Sequence, residues 1–150
     1  MKPTELMNGD YVRVNRPGLC IKEGTVVQIL SVDSADSLVN FNLKGSAVCK
    51  PINDDDYEGG IWLNYLDPIP LTKEILKKNG WEYNDEEAKF FPKTWVGGGL
   101  MLQERDEGFM IVVTSDYDDE DTNDTPFVLL YVHELQHALR LRRIEKEIEV

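Results

Sequence analysis

The sequence predicts an α+β protein: an SH3-like small β-barrel, then a half in which a long C-terminal helix covers an antiparallel sheet. Three observations carry that expectation. Residues 1–66 hold five short runs of strand character separated by turn residues. Residues 71–150 contain a short helix and four apolar runs broken by Asx- and Gly-containing turns. The stretch Thr125 to Arg143, TPFVLLYVHELQHALRLRR, has the period of an amphipathic helix.

In the first half, Gly9-Asp10 opens the alternating run Tyr11-Val12-Arg13-Val14. Gly24–Leu30 and Leu38–Leu43 follow, with the turn cluster Asp33–Ser37 between them, and Ala47–Cys49 and Ile61–Leu63 complete five strands. Leu66-Asp67-Pro68-Ile69-Pro70 is a stiff extended junction, because each proline disfavours helix at the residue before it. The boundary therefore separates a barrel at 1–66 from an α+β unit at 71–150, and the halves are expected to pack separately. Thr72 caps a helix at Lys73–Lys78, which Asn79-Gly80 ends. Trp81–Tyr83, Lys89–Phe91, Leu100–Gln103 and Phe109–Val113 read as an antiparallel meander whose apolar face needs cover.

The last long stretch supplies that cover. Thr125 is a suitable N-cap, and Pro126 fits a first helical turn. Acidic residues precede the stretch and Arg140, Arg142, Arg143 and Lys146 crowd its end, as the helix dipole favours. At about 100° per residue, Val128, Tyr131, Val132, Leu135, Ala138 and Leu139 share the face expected to be buried. His133, Gln136, His137 and Arg140 fall on the opposite face.

His133-Glu134-Leu135-Gln136-His137 is a literal H-E-x-x-H, and these are the chain's 2 histidines. In a zinc hydrolase, His133 and His137 would be metal ligands and Glu134 would activate the bound water. In the plainer reading, both histidines sit on the polar face of an amphipathic helix. A catalytic zinc needs a third protein ligand, and Ala138-Leu139-Arg140-Leu141 offers none. Glu145 lies on the order of 12 Å further along a continuous helix, and Arg140 would repel a cation. The expectation is no metal, no cofactor and no catalytic residue, with zinc on His133 and His137 and Glu134 as base the alternative.

With 150 residues, 41% of them hydrophobic and 29% charged, the chain can bury a core and stay in solution. No apolar leader or membrane span can be read, so a cytoplasmic protein without a membrane partner is expected. Cys20 and Cys49 match neither a zinc motif nor a disulfide framework. A net charge of −12 disfavours direct binding to nucleic-acid backbones. It suits a basic partner, an acidic mimic of nucleic acid, or simple solubility. Asp54, Asp56, Glu58 and Gly59 occupy EF-hand positions, but the closing position is Tyr65, so an acidic hairpin loop is expected. Asp116 to Asp124 has no frame with both the central Gly and the closing Glu, and reads as a solvated loop without an ion.

The Gly9-Asp10-Tyr11-Val12 opening, the junction from Pro68 through Leu71-Thr72-Lys73-Glu74 to Gly80-Trp81, and Tyr131-Val132-His133-Glu134-Leu135-Gln136 together resemble a family. It comprises short proteins from gut Bacteroidetes and their phages and prophages, and the similarity follows most of the chain in order. The resemblance implies no activity. It also implies an amide at the position of His137 and often at Glu134, which would make H-E-x-x-H a local departure. The functional expectation is a non-enzymatic accessory or protein-interaction protein, phage-associated, with a protein partner. A zinc-dependent hydrolase and an acidic nucleic-acid mimic are the alternatives.

Overall fold

The computed structural model describes residues 5–16, 21–33, 45–54, 58–92, 100–113 and 128–150, which form two antiparallel five-stranded sheets and two helices. The first sheet contains β1 (Tyr11–Val14), β2 (Val26–Asp33), β3 (Ser46–Pro51), β4 (Gly59–Trp62) and β5 (Leu66–Pro68), in the spatial order β4-β3-β2-β1-β5. Period-2 alternation sends Val12, Val14, Val27, Ile29, Ala47 and Cys49 into one core, joined by Leu6, Ile21, Ile61, Leu63 and Leu66. Burial pushes the Cys49 thiol up to about 11, so it packs as a small apolar group.

This sheet is not the closed barrel that the strand count suggests. β4 and β5, joined only by a 3-10 turn at Leu63–Tyr65, stand at opposite edges, and no pairing joins them among the described residues. Each is committed elsewhere. The three residues of β5 pair with Val12, Arg13 and Val14, and β4 pairs with Ser46–Cys49. Closure needs a stagger that brings the two edges together, and strands this short do not supply it. Gly59-Gly60 and Pro68 blunt the edges instead.

The second sheet contains β6 (Trp81–Asn84), β7 (Lys89–Pro92), β8 (Leu100–Arg105), β9 (Gly108–Val113) and β10 (Val128–Leu129), in the order β10-β9-β8-β7-β6. Its core gathers Trp81, Phe90, Leu100, Leu102, Phe109 and Leu129 with Ile69, Leu71 and Leu76. Helix α1 (Lys73–Lys78) begins where Thr72 Oγ1 accepts from the Ile75 N–H at 3.3 Å. It is tied to the sheet by Lys73, whose ammonium lies 2.6 Å from Glu104, while Tyr83 donates to the same carboxylate at 2.8 Å.

Helix α2 runs only from Val132 to Leu141, and the regular structure of the described residues is mostly β. The long covering helix expected from Thr125 is replaced over Val128–Leu129 by β10, which pairs with Met110 and Phe109. The local reason lies in the junction. The Leu71 N–H donates to the Leu130 carbonyl and the Val132 N–H donates to the Ile69 carbonyl, making an extended ladder around the Pro70–Tyr131 bridge. Tyr131 is consequently extended (φ −131, ψ 154), and a helix cannot pass through it. Val128, expected on the buried helical arc, is exposed. At the other end Arg143 takes a left-handed conformation (φ 58) and stops the helix.

Beyond α2 the chain returns across α1. The buried Asn79 holds it in both directions: its amide donates to the Glu149 carbonyl at 2.7 Å and accepts from the Glu149 N–H at 2.8 Å. Ile148 is thereby buried in the second core. No described strand before Pro68 pairs in the second sheet, although Tyr11 and Val26 pack against its core. Among the described residues no helix is long and apolar enough to cross a membrane.

Candidate functional site

Helix α2 is covered on two sides. Val132, Leu135 and Leu139 enter the second core. The polar arc, expected to face solvent, packs instead against the turn that opens β1. His133 and Gln136 are 5% and 6% exposed. Amphipathic spacing identifies the apolar side of a helix but says nothing about whether another element covers the polar side.

The contact is built from polar groups that satisfy one another. Gln136 accepts from the Tyr11 N–H at 3.0 Å and donates to the Gly9 carbonyl at 3.1 Å, so one side-chain amide completes two backbone groups of the first sheet. Asp10, between them, is fully buried. One carboxylate oxygen accepts from the Met7 N–H and lies 2.7 Å from His137 Nε2, and the other accepts from Arg140 at 2.7 Å. A buried carboxylate is tolerable only with such partners. Gly9 is required beside it. Its φ is +90, and a Cβ there would lie 2.9 Å from the Arg140 guanidinium.

The H-E-x-x-H side chains are directed at different partners. Glu134 turns back to the start of α2, accepting from the N–H groups of Leu130 at 2.6 Å and Tyr131 at 3.0 Å. That is a helix-capping task. His133 stacks parallel on Tyr131 and meets His137 edge-on, with ring centroids 5.7 Å apart in both pairs. No group of three His, Cys, Asp or Glu side chains among the described residues could hold a metal ion. No known protein family, characterised protein or solved structure matches this chain.

His133 Nδ1 is buried without a hydrogen-bond partner among the described residues. Burial lowers the imidazole pKa below its ordinary value of 6.5, a shift opposed mainly by Asp10 and Glu134. A neutral buried base binds its proton less readily when folded than when unfolded. Its contribution is thus complete above about pH 6.5 and is lost as pH falls toward the lowered folded value. Denaturant unfolding at a series of pH values should show the parent losing stability below pH 6.5 more steeply than a His133→Gln variant. Parallel curves for the two proteins would exclude His133 as the source.

Sequence reasoning missed Asp10, noted only as the opening of a strand, and missed the pairing work of Gln136 and Arg140. One signal was present: four polar residues on one face of an otherwise apolar helix need partners if that face is covered. Of the EF-hand candidates, Asp54 and Glu58 are exposed and Gly59 begins β4. Asp56, Cys20, Leu38–Leu43, Asp116–Asp124, Thr125 and Pro126 lie outside the described residues.

Proposed function

We propose that this is a non-enzymatic accessory protein that acts through a protein partner, with α2 serving as the clamp between its two sheets. The observation that supports this reading is the employment of the H-E-x-x-H side chains: Glu134 caps the helix, Gln136 completes the backbone at Gly9 and Tyr11, and His137 pairs with Asp10. A hydrolytic site would need Glu134 turned toward water at a metal. The resemblance to Bacteroidetes phage and prophage proteins supports a phage-associated setting. Zinc hydrolysis is the second reading, favoured by one feature, the unpartnered Nδ1 of buried His133.

Metal analysis of protein purified without chelators, together with melts of the parent and Glu134→Gln, separates the two. The clamp reading expects no stoichiometric zinc, and a cost of no more than about 1 kcal/mol for Glu134→Gln, which keeps a capping oxygen, with or without chelator. One zinc per chain, with chelator lowering the parent's melting temperature, would establish the metal reading. Chemical cross-linking in the cells that make the protein tests the partner. Recovery of the free chain alone, with short and long linkers, would remove the interaction reading.

A further inference from the structure

An open cleft of about 730 Å3 lies where the first sheet, at the β1 turn and Gln28, meets the end of α2 and the chain that follows it. Small-molecule sites favour such junctions and span about 300–1,000 Å3. We propose that this cleft binds a small organic anion, a carboxylate or a phosphate, with Arg140 and Arg143 as its charged ligands.

The protein carries a net charge of −12, yet Arg140, Arg143 and Lys146 all line this one cleft. Arg140 is already oriented. Its Nη1 is fixed by buried Asp10, and Nη2 lies over Gly9, which itself lines the cleft and has no side chain to block the approach. A guanidinium held along one edge keeps donors for a second acceptor, in the fork geometry that suits carboxylate and phosphate oxygens. Arg143 joins the lining because its left-handed backbone turns the chain back, its N–H bonded to the Arg140 carbonyl at 2.9 Å. Lys146 donates to the Asn79 carbonyl and contributes field more than contact.

Neutral donors complete the walls. Asn8 and Gln28 line the cleft together with Tyr11, whose phenol pKa is raised by burial and by nearby Glu147. Gln136 is spent on the backbone of Gly9 and Tyr11, which fixes the wall before any ligand arrives. Glu145 and Glu147 also border the cleft and repel any anion, so binding rests on close contact with the two guanidinium groups and not on long-range field. The site is therefore matched to a compact anion.

The test is calorimetric titration of the full chain at constant ionic strength, with inorganic phosphate and succinate as separate probes. At least one should saturate at one site per chain, and the tighter of the two identifies the ligand's anionic group. Arg143→Gln, at an exposed position, should keep the parent's melting temperature and weaken that binding by about tenfold. Glu147→Gln should tighten it. Failure of both probes to saturate, or equal binding by Arg143→Gln and the parent, would overturn the proposal.

Discussion

Leu135→Ala is expected to remove about 2–5 kcal/mol of stability. Leu135 is fully buried in the second core with Val132 and Leu139 of its own helix, beneath the sheet that carries Phe90, Leu102 and Phe109. Truncation leaves a cavity that the surrounding packed side chains close only in part. In a chain of this size each kcal/mol shifts the melting point by roughly 2–4 °C, so the fall should be on the order of 5–20 °C. Leu141→Ala is the control: that side chain is 82% exposed, and its loss should change stability by no more than about 0.5 kcal/mol. Similar melting points for the two variants would mean that α2 does not dock as described.

Asp10→Ala should be comparably damaging, by about 3–5 kcal/mol, for a different reason. The substitution strips the acceptor from the Met7 N–H and leaves His137 and Arg140 without their common anion. Arg140→Ala should be milder, because water can reach the vacated position beside a partly exposed side chain. The decisive measurement is a double-mutant cycle by urea unfolding. Asp10→Ala/Arg140→Ala should cost less than the sum of the single changes, by about 1–3 kcal/mol. Strict additivity would mean that the ion pair does not contribute to holding the sheets together.

The residues that pattern strongly at short range were legible in the sequence. Tyr11–Val14 alternates because one face meets the first core, and the turns after Asn84 and Arg105 set the pairing of β6 with β7 and of β8 with β9. Features that depend on distant partners were not. Val128-Leu129-Leu130 is as apolar as any helix face, and only the backbone of Ile69–Leu71 and the edge of β9 decide that it is extended. Five strand signals could not reveal that β4 and β5 would stay apart, since that follows from register. The polar arc of α2 looked solvent-facing because Asp10, the group that buries it, is 127 residues from His137.

That separation bears on how the chain reaches its fold. The first sheet lies wholly before Ile69 and can assemble early, but it does so with an ionisable carboxylate awaiting a basic partner. Arg140 is 130 residues away, so the partner arrives only after the second sheet has been synthesised and α2 has formed. Closing a loop of that length has an entropic cost that local contacts cannot offset in advance. Docking of the two halves is thus set as a late event in folding, and during translation the polar seam of the first sheet stays hydrated until Arg140 has been made.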